Sequence, residues 1–187
     1  MADTLTVGDT GYSLAEAAIL SQPWLSGSTL PDALARPAVA TEPSEAVLRK
    51  VTIRKRGSEL AVEIDASGPM PRSFLKGLGS VVDLLRLPAG WNSYSAKPIA
   101  PQTASHAIRL LAEFLKSQTP PPAVVPTVRG GIQLEWHTKG VDLEIYIDSA
   151  NCVTFFAERI DSDECSEEPL AGHEHVLASW LERISGK

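Results

Sequence analysis

A chain of 187 residues with 43% hydrophobic content is long enough to bury one core with loose ends to spare. Its net charge of −6 at pH 7 argues against general nucleic-acid affinity, which needs a basic surface to displace counterions. No apolar run approaches the roughly 18 residues that span a bilayer, and a start carrying Asp3, Asp9 and Glu16 makes a poor secretion signal, so the expected setting is the cytoplasm.

Residues 1–45 are rich in Ala, Ser, Thr, Pro and Gly and read as a flexible or loosely docked arm, with 46–187 as a single α+β domain. Within the arm, "SLAEAAILS" offers a short helix capped by Ser13 with Glu16 closing the box, and Trp24 and Leu25 could pin the arm to the body. "VTIRKRGSELAVEIDASG" then alternates: Val51 and Ile53 point one way, as do Leu60, Val62 and Ile64, and Gly57-Ser58 supplies a hairpin turn. The basic cluster Arg54, Lys55, Arg56 is accounted for by cross-strand pairing with Glu59 and Glu63.

Phe74, Leu75, Leu78, Val81, Val82 and Leu85 recur at helical spacing and predict a helix over 72–86, weakened by Gly77 and Gly79. A second helix over 102–117 starts behind Pro101, carries Ala104, Ala107, Ile108, Leu111, Phe114 and Leu115 as its apolar stripe, and ends at "TPPPA". "AVVPTVRGGIQLEWHTKGVDLEIYIDSANCVTFFAERI" follows as four strands, turning at Arg129-Gly130-Gly131, Lys139-Gly140 and Ser149-Ala150-Asn151. Pro126 makes the first of them an edge. After an acidic loop containing Cys165, Val176, Leu177, Trp180, Leu181 and Ile184 mark a last helix over 173–184. The expected fold is α+β: a four-stranded antiparallel meander, with the earlier hairpin as a candidate extension and helices on its apolar face. An exposed edge, at the Pro126 strand or opposite it, would offer a route to a homodimer.

Keeping one sheet face apolar fixes the register. Around Lys139-Gly140, Trp136 falls opposite Leu143 and Leu134 opposite Ile145, so His137 meets Asp142 and Glu135 meets Glu144. Around a three-residue Ser149–Asn151 loop, with Asn151 left-handed, Ile147 meets Val153 and Ile145 meets Phe155. Asp142 then meets Glu158, and Glu144 meets Phe156. One side is hydrocarbon; its reverse gathers Glu135, Asp142, Glu144 and Glu158 with His137 and Tyr146 among them. Like charges placed directly opposite cost up to about 1 kcal/mol, and three explanations are open: a solvated face whose repulsion water screens, a seat for a basic partner surface, or a metal or proton-sharing carboxylate pair.

The loop "LPAGWNSYSAKPI" holds Trp91, Asn92 and Tyr94 before the second helix. Trp91 suits a brace between helix and sheet with its indole N–H on a carbonyl, and Asn92 suits a local turn. "GWNSYSAKPI" together with "PPPAVVPTVRGGIQLEW" resembles a loosely defined family of uncharacterised bacterial proteins with a Gly-Trp-acidic-aromatic loop and a Gly-Gly-x-x-Leu-Glu-Trp hairpin, over residues 87–148. Asn92 stands where that family has an acidic residue. The resemblance brings no activity; it implies an accessory protein that binds a partner, in the company of mobile or defence-related genes.

Catalytic and cofactor signatures are absent. Cys165, His173 and His175 lie close in sequence but lack zinc spacing, and the "DSDE" run over 161–164 lacks the glycine and terminal Glu of a calcium loop. Gly130-Gly131 precedes a strand and not a helix, so it is no phosphate cradle, and Cys152 and Cys165 read as free thiols. No metal or cofactor is expected. Three readings compete. In the first, a non-enzymatic antitoxin-, immunity- or defence-accessory-like protein receives a basic protein partner on the acidic face, with Trp91, Asn92 and Tyr94 at its rim. In the second, Glu135, Glu144 and His137 serve acid-base or metal chemistry. In the third, Arg49, Lys50, Arg54, Lys55 and Arg56 hold nucleic acid.

Overall fold

The computed structural model describes residues 3–7, 47–56 and 59–186. The expected Ser13-capped helix, the docking of Trp24 and Leu25 and the Gly57-Ser58 turn lie outside these residues. Asp3–Val7, inside the expected arm, forms strand β1.

β1 pairs antiparallel with β3 (Glu59–Ser67), which pairs on its other side with β2 (Val47–Arg56). Alternation is what makes this hairpin: Val51 faces Ile64 and Ile53 faces Val62, and the buried positions of β3 are every second residue. A bulge between Leu48 and Lys50 interrupts the ladder. The hairpin does not extend the meander, as the sequence reading allowed. It takes β1 as its third strand and stands as a separate sheet, ordered β1-β3-β2.

The second sheet is a meander of five strands and not four, ordered β4-β5-β6-β7-β8. Its members are β4 (Ala123–Pro126), β5 (Ile132–Thr138), β6 (Val141–Ser149), β7 (Cys152–Arg159) and β8 (Cys165–Pro169). β4 is an edge, as Pro126 requires. Cys165, expected in an acidic loop, opens β8, while the Asp161–Glu164 run is the connection. At the β5–β6 turn Lys139 and Gly140 both take positive φ, 54° and 72°, the pair of left-handed residues whose twist matches the flanking strands. The β6–β7 turn departs from expectation. Ser149 pairs with Cys152, a shift near Asp148 absorbs the extra residue, and Asn151 stays out of the left-handed region. The bulge within β6 does the work that a left-handed loop residue would otherwise do.

Three helices complete the fold: α1 (Arg72–Leu85), α2 (Pro101–Phe114) and α3 (Glu174–Ser185). Pro101 sits in the first turn of α2, where its missing N–H costs nothing. α2 stops at Phe114, short of the expected 117; Leu115 is extended, and the chain turns through Lys116–Thr119 before the prolines. Gly186 closes α3 in the left-handed conformation. α2 touches β2 of the first sheet and β5 and β6 of the second, α1 packs on α2 and β4, and α3 packs on β6. The core is therefore continuous across both sheets, from Val62 and Ile64 through Ala104, Ala107 and Ile108 to Leu143, Ile145 and Phe155. No helix among the described residues is long and apolar enough to cross a membrane.

Candidate functional site: the carboxylate face

The inward residues of β5–β7 pair as the apolar pattern demands, and the reverse face follows from them. Trp136 faces Leu143, Leu134 faces Ile145, and Ile147 and Ile145 face Val153 and Phe155. On the outward side Glu135 lies opposite Glu144, His137 opposite Asp142, Asp142 opposite Glu158, and Glu144 opposite Phe156. β8 adds what the sequence reading missed: Glu167 is registered with Phe156 and so joins the same face. No Lys or Arg occupies a paired position on this side of the sheet.

Two local devices offset the repulsion. The Glu144 carboxylate accepts a hydrogen bond from Gln133 Nε2 at 3.0 Å and another from the Tyr146 hydroxyl. Bonding to Glu144, reinforced by desolvation, pushes the Tyr146 phenol up to about 12, so it remains a donor at neutral pH. His137 serves the other end of the row: Nδ1 lies 2.9 Å from Asp142 Oδ1 and Nε2 lies 3.6 Å from Glu135 Oε2. The side chains of Glu158 and Glu167 make no hydrogen bond or ion pair among the described residues. They are the unneutralised part of the face.

The hydrogen bond to Asp142 is the main reason that the His137 pKa stands above its usual 6.5; desolvation opposes it, and the charge of Asp142 with the hydrogen bond and charge of Glu135 add to it. A group whose pKa rises on folding stabilises the fold fully below its unfolded value and loses that contribution as pH climbs through the folded value. His137→Gln should therefore cost more stability at about pH 5 than at about pH 9. The ring is 53% exposed, so solvent screening holds the difference to about 1 kcal/mol or less. Paired urea titrations of the two proteins at both pH values test this, and a larger loss at high pH would contradict it.

The Trp loop is a separate structure. Asn92 Oδ1 accepts the backbone N–H of Tyr94 (3.0 Å) and of Ala96 (3.2 Å), which builds the local turn expected of it. Gly90 N–H donates to the Ala96 carbonyl, and Ser93 takes the left-handed conformation, φ 67°. Trp91 is half-buried, but its indole N–H, expected on a carbonyl, is enclosed without a partner among the described residues. The other two indoles among the described residues do find acceptors: Trp136 donates to the Pro120 carbonyl at 2.8 Å and Trp180 to Ser166 Oγ at 3.2 Å. Tyr94 projects into solvent, 86% exposed.

Lys97 N–H donates to the Val128 carbonyl, which ties the loop to the β4–β5 turn. His137 lies near the far end of β5, about 20 Å along the strand at the usual rise. No hydrogen bond or ion pair among the described residues joins Trp91, Asn92 or Tyr94 to the carboxylates. The structure thus assembles Glu135, His137, Asp142, Glu144 and Glu158, and sets the loop apart from them.

Other candidates resolve simply. Arg54 pairs with Glu63 at 3.3 Å across the first hairpin, and Lys55 donates to the Leu85 carbonyl at the end of α1. His173 is engaged by the Pro169 carbonyl and Glu168, and both cysteines are free and exposed. Among the described residues no group of three His, Cys, Asp or Glu side chains is placed to hold a metal ion. Compared with known proteins, the chain matches no family model, and no curated protein or solved structure shows significant similarity to it.

Proposed function

We propose that this is a non-enzymatic interaction protein, of antitoxin-, immunity- or accessory-like character, that receives a basic protein surface on the outward side of the second sheet. The observation that carries this reading is a row of five carboxylates, Glu135, Asp142, Glu144, Glu158 and Glu167, on one face whose paired positions hold no Lys or Arg. Half-buried Tyr146 and Phe156 sit within the row and offer apolar area at its centre, while carboxylates at the margin steer an oppositely charged partner. Acid-base chemistry is less well supported, because Glu144 is already held by Gln133 and Tyr146.

The test is capture of the partner by tagged full-length protein from its native cell, with and without charge reversal. Glu135→Lys and Glu158→Lys leave the Glu144 hydrogen bonds intact and should abolish co-purification, with thermal stability unchanged or raised. Retention of the same partner by the doubly reversed protein would refute the acidic-face reading.

A further inference from the structure

The first sheet carries a surface of the opposite character. β2 is an edge strand, ten residues long, and its outer side has no backbone partner among the described residues. Beside it runs an open groove of about 400 Å³. Its lining includes three consecutive residues of β2, Val51, Thr52 and Ile53. Either face of a strand shows only alternate residues, so a wall made of consecutive ones is the strand's main-chain edge. The opposite wall is one face of α2, Gln102, Ser105, His106 and Arg109 at helical spacing, and Ala150 of the β6–β7 turn also lines the groove. A strand edge alongside a helix flank is the geometry by which an extended peptide is taken up as an extra strand.

We infer that the β2–α2 groove binds an extended acidic segment of a partner protein, which adds to the first sheet beside β2. Charge selects the occupant. An incoming strand would meet Lys50 and Arg56 from the outward side of β2, where Arg54 is already held by Glu63, and Arg109 from α2 on its inward side. Among the described residues no carboxylate lines the groove, and the Arg109 side chain makes no hydrogen bond or ion pair. A second copy of β2 is a poor occupant, because antiparallel pairing of two such strands sets basic residues against basic residues. Nucleic acid fits less well than peptide, because it has no alternating main-chain N–H and C=O groups to complete the ladder at the open β2 edge. This surface lies on the other sheet from the carboxylate face, so it stands or falls independently of the function proposed above.

The experiment uses full-length protein and a fluorescent octapeptide of alternating Glu and Thr, with its Lys-for-Glu counterpart and a single-stranded oligonucleotide as comparators. The Glu peptide should raise anisotropy saturably and slow amide exchange at residues within Val51–Ile53. Arg109→Glu, on an exposed helix position, and Lys50→Glu should each weaken binding about tenfold while leaving the melting temperature in place. Absence of binding, equal binding of the Lys peptide, unaltered affinity in both variants, or tighter binding of the oligonucleotide would each overturn the inference.

Discussion

Trp136→Ala should remove about 3–5 kcal/mol of folding stability, a large share of the roughly 5–15 kcal/mol that holds a typical domain together. Trp136 is 3% exposed and stands on the inward face of β5 opposite Leu143, so truncation leaves a cavity in the second sheet's core. It also strips the Pro120 carbonyl of the indole donor at 2.8 Å, and an acceptor left buried without a partner costs about 1–3 kcal/mol. Trp136→Phe keeps most of the apolar volume and loses the hydrogen bond, so its penalty should fall well below that of Ala. Urea unfolding reads the series: the midpoint should drop in the order Trp, Phe, Ala with the slope unchanged. Equal midpoints for Phe and Ala would assign the whole effect to the hydrogen bond and none to packing.

Gly131→Ala should be the most damaging of the small substitutions, at about 1–3 kcal/mol. A Cβ at this position would lie 2.8 Å from the Ile147 carbonyl oxygen and 2.9 Å from Thr127 Oγ1. The first of these is backbone of a central strand and cannot swing aside. The second is the acceptor of the Gly131 N–H, so moving it breaks the bond that shapes the turn. Gly79→Ala is the internal control. Nothing lies within 4 Å of a Cβ there, and the residue sits within α1, so the change should stabilise by about 0.4–1 kcal/mol through the unfolded chain. Thermal or urea unfolding of the two variants should therefore move in opposite directions, and a stable Gly131→Ala protein would mean that β6 yields more readily than its central place suggests.

The sequence was legible where one face of an element had to be dry. Ile132, Leu134 and Trp136 against Leu143, Ile145 and Phe155 admit one alignment, and slipping it by a residue would turn every carboxylate inward. That is why the pairing of Glu135 with Glu144 can be read from the sequence. β8 escaped because "CSEEP" has no alternation to detect. Its inward positions are Ser166, which accepts from Trp180, and Glu168, which reaches His173. Glu167 was lost with it. The separation of the two sheets was equally hidden, since periodicity tells which way a residue points and not which sheet it joins. One clue was present in α2: Thr103 and Leu110 are buried beside the stripe of Ala104, Ala107, Ile108 and Leu111, a wider arc than a helix covered on one side needs. The Trp91 indole was misjudged for a different reason, because a hydrogen-bond partner depends on neighbours that a loop sequence does not specify.

The placement of α2 against β2 on one side and β5 and β6 on the other has a consequence for how the molecule comes apart. Ala104, Ala107 and Ile108 are wholly enclosed, and loss of either sheet would wet them. The shared helix makes the cost of detaching one half nearly that of losing both. Heating should therefore disassemble the two sheets in a single cooperative event, with calorimetric and van't Hoff enthalpies in agreement.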